Sequence, residues 1–198
     1  MLKTRFMRRL LLAIFCLFPL SAQAVPGAFF PLKDDYEKTL NRYTKNGSHY
    51  SLQDLHAQII WYATYASDEF SRAFRGEYNE VYPHGQEYRA QTKANAWIET
   101  GKDASFFVAL YARRREMMDL GSPKSLQDVT LEVGGQFIKP TLIEKIPITE
   151  FEIRFFNYVN QWFTAYRVVF PTEALRDRSV PFKLHLNGAA GGSTLTYK

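Results

Sequence analysis

From Ser105 to the C-terminus, apolar side chains recur at every second position. A period of two suits strands and not helices, because successive strand side chains point to opposite faces. Phe106, Val108 and Leu110 alternate with Phe107, Ala109 and Tyr111. Val129, Leu131 and Val133 alternate with Thr130 and Glu132, and Phe151, Ile153 and Phe155 with Glu152 and Arg154. Trp162, Thr164, Tyr166, Val168 and Phe170 make one face of a further run, and Phe182, Leu184 and Leu186 alternate with Lys183 and His185. Gly134-Gly135 predicts a two-residue hairpin turn. Pro140 and Pro147 confine their neighbourhood to short or edge strands. Seven strands are expected, over 105–112, 129–133, 136–138, 151–155, 161–170, 182–186 and 195–197.

Short strands separated by turn signals predict an antiparallel β-sandwich of immunoglobulin-like type. Strands 105–112 and 161–170 are apolar on both faces, with Arg167 as the main exception. A sandwich strand with one wet face should alternate cleanly, so something must cover the second face. The N-terminal segment 25–104 offers helices for that purpose. Tyr36, Leu40 and Tyr43 share a face of a short helix that Asp34 or Asp35 can cap and Asn46-Gly47 can stop. Leu52, Leu55, Ile59, Tyr62, Ala66, Phe70 and Phe74 then follow at steps of three and four, which predicts a helix over 51–75. Ser51 would cap it, and Gly76 would end it. Residues 77–104 show no steady period, and 86–96 is a further helix candidate. The expected class is α+β, with N-terminal helices packed over one sheet.

The first 24 residues have a different logic. Lys3, Arg5, Arg8 and Arg9 precede the apolar run Leu10–Leu20, and Ala22-Gln23-Ala24 follows. A basic start, an apolar core and an A-x-A site make a cleavable secretory signal, cut after Ala24, with Ala22 and Ala24 as the recognised small residues. The apolar run is eleven residues, against roughly 20 needed to span a bilayer. Arg8-Arg9 raises the twin-arginine route, but Met7 and the strongly apolar core favour the ordinary Sec route. Export places the product in the periplasm or outside the cell, with no transmembrane helix in the mature chain.

Removing the leader changes the charge balance. The chain has 25 basic and 20 acidic residues, and the four basic residues of the leader leave 21 against 20. Such a chain lacks the clustered positive footprint that nucleic acid requires. Cys16 is the one cysteine and leaves with the leader, so disulfides and thiolate chemistry are excluded. His49, His56, His84 and His185 form no H-x-x-x-H or H-E-x-x-H pattern, and no metal or cofactor is expected. His185 alternates with the core side of its strand and should face outward. No G-x-S-x-G elbow is present, and Gly188 to Gly192 precedes a strand, as a hairpin loop does. No catalytic residue is assigned.

Arg113-Arg114-Arg115 is the strongest local concentration of charge. It is either a contact for anionic lipid, polysaccharide or an acidic partner, or a solvated strand end paired with Glu116 and Asp119. The succession of a helical segment, FFVALYARR, VTLEVGGQFIKP, WFTAYRVVFP and VPFKLHLNGAAGGSTLTY resembles exported bacterial proteins and lipoproteins of unassigned function that carry an immunoglobulin-like domain. The resemblance implies the fold and no catalytic residues. The expected function is a non-enzymatic binding module of the cell envelope, with another envelope protein or an anionic envelope component as partner. The alternatives are a periplasmic hydrolase with dispersed catalytic residues and a structural subunit that pairs through an edge strand.

Overall fold

The computed structural model describes residues 32–51, 56–82, 104–175, 180–189 and 191–198. The leader with Ala22 and Ala24, and the helix candidate at 86–96, lie outside the described residues. Among the described residues three α-helices, α1 (Asp34–Tyr43), α2 (Asp68–Val81) and α3 (Glu150–Phe155), accompany nine strands. The strands are β1 (Thr44–Ser51), β2 (His56–Tyr65), β3 (Ala104–Ala112), β4 (Gln127–Val133), β5 (Gln136–Ile138), β6 (Leu142–Ile146), β7 (Thr164–Phe170), β8 (Phe182–Gly188) and β9 (Ser193–Tyr197). They form a five-stranded sheet in the order β1-β2-β3-β7-β6 and a four-stranded sheet in the order β5-β4-β8-β9. Every pairing is antiparallel.

The two sheets face each other across a core of Trp61, Phe106, Val108, Leu110, Leu131 and Leu184, among others. Because strand side chains alternate, β3 sends Phe107 and Ala109 to the opposite face. There they meet a second core built from Tyr36 and Leu40 of α1, Phe70 and Phe74 of α2, and Phe155 of α3. Phe107 stacks flat on Phe156, with ring centroids 3.9 Å apart. The Tyr36 hydroxyl donates to the Phe155 carbonyl at 2.9 Å and ties α1 to α3. The expectation that helices cover one sheet therefore holds.

The helices themselves differ from expectation. The helix read over 51–75 is strand β2 from His56 to Tyr65 and helix α2 from Asp68 onward, while Ser51 ends β1 and 52–55 lie outside the described residues. Ile59, Trp61, Ala63 and Tyr65 alternate into the inner core, while Tyr62 and Thr64 occupy the other face. An apolar run buried on both faces satisfies a period of two and a period near 3.6 at once. The capping serine is Ser67, whose hydroxyl accepts from the Phe70 N–H at 3.1 Å. Ala66, Phe70 and Phe74 do pack together as the stripe required.

The strand expected at 151–155 is instead α3. Thr149 and Glu152 form a capping box there, with the Thr149 N–H donating to Glu152 at 2.8 Å. Two satisfied backbone donors decide for the helix over an alternation of only three residues. With β1, β2 and β6 added and 151–155 removed, the expected seven strands become nine.

Asn46-Gly47 lies inside β1 and does not stop a helix. A β-carbon on Gly47 would stand 2.6 Å from Trp61 Nε1 and would also strike Ser193 Oγ. Glycine at this position lets β1 of one sheet lie against β9 of the other. Gly134 and Gly135 form the expected hairpin turn between β4 and β5, at φ 57° and 82°. Positive φ at both positions matches the turn type that suits twisted strands.

Phe107 tests whether the second core belongs to the same cooperative unit as the first. Phe107→Ala removes a fully buried ring and its stack on Phe156. It should lower the unfolding free energy by about 3–5 kcal/mol. In urea a single transition should move to lower denaturant, by near- and far-ultraviolet circular dichroism alike. Separation of the two signals into two transitions would show that the helical layer unfolds on its own.

Candidate functional site

The helices do not cover the whole outer face of the five-stranded sheet. Where β2 and β3 run beyond them, a cleft of about 600 Å³ opens to solvent. Its floor is Ile60 and Tyr62 of β2 and Tyr111 of β3. Register places Ile60 opposite Tyr111, and Tyr62 opposite Ala109. Its wall is the segment between α3 and β7, with Tyr158, Asn160, Trp162 and Phe163.

That wall is held by short-range bonds. The Val159 N–H donates to the Phe156 carbonyl at 2.8 Å, and the Phe163 N–H to the Asn160 carbonyl at 3.1 Å. The Trp162 N–H donates to Asn160 Oδ1 at 2.9 Å, so the asparagine closes its own turn. Phe156 and Val159 are buried in the outer core and anchor the segment. The Tyr158 hydroxyl reaches Thr64 at 2.5 Å, and Thr64 reaches Thr44 at 2.7 Å. Burial pushes the Tyr158 hydroxyl well above its ordinary 10.0, so it stays neutral.

The aromatic rings of floor and wall form a contiguous cluster. Tyr62 stacks on Tyr158 with centroids 4.7 Å apart, and meets Phe163 edge-on at 5.9 Å. Tyr111 lies 6.1 Å from Phe163. Trp162 projects with 66 % of its surface exposed, an unusual position for the largest apolar side chain. The hydroxyls of Tyr62 and Tyr111 have no hydrogen-bond partner among the described residues.

The basic run follows directly. Arg113 comes two residues after Tyr111, so their Cα atoms are at most about 7 Å apart. Arg113, Arg114 and Arg115 are all exposed. Among the described residues none of the three is ion-paired. Asp119, the partner considered from sequence, instead accepts from the Gly121 N–H at 3.1 Å. Hydrogen bonds, led by that from the Ser122 side chain, hold its carboxyl below the ordinary 3.8. Arg167 pairs with Glu144 at 3.9 Å and takes no part in the cleft.

A second cavity of about 700 Å³ lies where α1 and α2 meet the end of the sheets. Three of its polar side chains bond to one another. Glu69 accepts from Arg42 and from the Tyr43 hydroxyl, both at 2.6 Å. Burial first, and the Glu69 hydrogen bond second, raise the Tyr43 hydroxyl above its ordinary value.

His185 lies on the outer face of the four-stranded sheet, as alternation requires. Its Nε2 is 2.8 Å from Glu132 and its Nδ1 is 2.9 Å from Thr194. Thr194 is its direct cross-strand partner on β9, and Lys183 faces Glu132 across β4 and β8. The four residues line neither cavity. Their arrangement is a cross-strand ladder of polar pairs. Among the described residues no three histidine, aspartate or glutamate side chains are grouped to hold a metal. No helix there is long and apolar enough to cross a membrane.

Sequence reasoning found the arginine run and missed the cleft beside it. Tyr62 was assigned to a helix stripe, and Trp162 to the start of a strand that begins at Thr164. The local signal for the wall was Asn160 two residues before Trp162, an asparagine turn. No protein-family model matches the chain, and no curated protein matches it.

The ladder predicts an acid response. Hydrogen bonds from Lys183 first and His185 second hold the Glu132 carboxyl below its ordinary 4.5. A carboxyl depressed in the folded state adds stability that is present above the unfolded value and is lost as pH falls through the folded one. Unfolding free energy, measured by urea titration across the acid range, should therefore decline as pH drops below 4.5. Glu132→Gln should flatten that decline. An unchanged slope in the variant would assign the acid response to other carboxylates.

Proposed function

We propose that this chain is an exported, immunoglobulin-like binding module of the cell envelope whose ligand seats in the aromatic cleft. The observation that carries the reading is the cleft itself. Exposed aromatic rings cost stability in water unless something covers them. Here Trp162, Tyr62 and Tyr111 converge on one open recess, beside hydroxyls without partners among the described residues. A concave site with few polar groups among aromatic walls is the usual form of a ligand pocket. The leader supports delivery to the periplasm or the exterior, and the lack of an assigned catalytic residue supports binding without turnover. The Glu132–His185–Thr194 ladder lies outside both cavities and gives the hydrolase alternative no support.

Two measurements check this reading. Mass spectrometry of the protein recovered from an expressing bacterium should show Val25 as the first residue, in the periplasmic or external fraction. A chain that retains residues 1–24 in the cytoplasm would refute export. For binding, bacterial envelope extract is passed over the immobilised protein. Material retained by the wild type should fall about tenfold on Trp162→Ala, the size of one lost ring contact. Trp162 is mostly exposed, so its removal should leave stability within about 0.5 kcal/mol. Equal retention by wild type and variant would remove the cleft from the function.

A further inference from the structure

We propose that the ligand of the cleft is an acidic polysaccharide, with a sugar ring against the Tyr62 and Trp162 rings that line it and its anionic groups on Arg113–Arg115. The inference rests on the binding reading above and names the ligand class.

The ring side of the argument is chemical. A pyranose carries C–H bonds on one face, and their hydrogens are weakly positive. The face of an aromatic ring is negative, so the two stack, as aromatic faces do with other positive edges. The hydroxyls of a sugar need partners when one face leaves water. The unpartnered hydroxyls of Tyr62 and Tyr111 offer donors and acceptors on the floor. On the wall, Asn160 Oδ1 is bonded to the Trp162 N–H at 2.9 Å, which turns the amide nitrogen into the available donor.

Openness argues in the same direction. A purely apolar ligand gains most when the site encloses it. This cleft leaves one side of its occupant in water, which suits a polymer that stays hydrated and passes through. It also suits a chain longer than the roughly 600 Å³ recess.

Charge supplies the second half. Arg113, Arg114 and Arg115 stand at the end of the cleft floor and have no ion-pair partner among the described residues. Glu116 is the carboxylate in the same turn, so the turn keeps an excess of positive charge. A guanidinium meets a carboxylate or sulfate with two parallel hydrogen bonds. Other anionic partners fit less well. Electrostatic membrane binding draws on clusters of about four to eight basic residues. Nucleic acid needs a longer phosphate track than a mature chain of 21 basic and 20 acidic residues provides.

The test uses polygalacturonate as a polymer of carboxylate sugars, its methyl ester as the same ring without charge, and dextran sulfate as a different anion. Vesicles of phosphatidylglycerol supply the lipid arm. Binding is read by calorimetry with the processed protein. Polygalacturonate, dextran sulfate or both should bind. Which of them binds tells carboxylate from sulfate as the anionic group. Affinity should fall about tenfold on Trp162→Ala, the size of one lost stacking contact. The doubly substituted Arg113→Gln, Arg115→Gln protein should lose affinity and most of its salt dependence. The methyl ester should bind more weakly than polygalacturonate if that polymer is the one bound. All three substituted residues are exposed, so the variants retain the fold.

Polymer binding that ignores Trp162→Ala would be charge attraction alone and would overturn the proposal. Binding to vesicles with none to either polymer would replace it with a membrane contact. If no polymer binds, the envelope extract separates the two readings. Retention that depends on Trp162 and survives periodate, which cleaves sugar diols, would refute the polysaccharide and keep the binding module. Trp162-dependent retention that periodate abolishes would keep the polysaccharide, and no Trp162-dependent retention from the extract would refute both readings.

Discussion

Strand β3 has no wet face, and the rest of the architecture answers to that constraint. Its side chains are buried almost without interruption from Ala104 to Ala112. A strand buried on both sides requires a layer above and a layer below. The four-stranded sheet supplies one, and the three helices supply the other. The helical layer is rich in rings, with centroids 3.9 Å apart for Phe107–Phe156, 6.4 Å for Phe70–Phe156 and 4.9 Å for Phe74–Phe155. Large rigid side chains let short helices bury much area with few residues. The described residues include no cysteine, so this packing works there without disulfides.

The cleft arises from the same constraint. The helices extend only as far as Phe155, Phe156 and Val159 can reach across the sheet. Past that boundary the sheet still presents aromatic residues, and water is their neighbour. The segment from Tyr158 to Phe163 turns up at this boundary and adds a wall. A site has thus been formed at the margin of a core, from residue types that the core itself uses. Its polar character comes from hydroxyls and one amide, and Arg113–Arg115 stand outside the residues that line it.

Much of the fold could be read from residue order, and the failures have a common cause. β3, β4, β7, β8 and the Gly134-Gly135 turn were legible because alternation or turn chemistry is local. The need for a covering layer was legible from the same strands. The stretch from Ile59 to Tyr65 was not, since its apolar run fits a helix stripe and a strand equally. Its pairing with β3 decides the matter, and that partner lies about fifty positions away in the chain. Thr149 and Glu152 did carry a local helix signal, which three alternating residues obscured. The cleft draws on positions near 60, 111 and 160, and only the registers of β2, β3 and β7 bring them together. The arginine run was visible as composition, but its place beside an aromatic recess was not.

The contact of β1 with β9 bears on how copies of this molecule could associate. Gly47 is pressed against Ser193 and Leu195, and Gly191 against His49, so the sheets meet along this seam. The remaining margins are β5, of three residues, and β6, of five, with Glu144 and Lys145 on the latter. Short length at β5, and short length with charge at β6, resist strand addition. Continuous growth by strand addition needs a receptive margin on each side of every copy. Here the seam covers one margin of each sheet, so strand addition is confined to β5 in one sheet and β6 in the other.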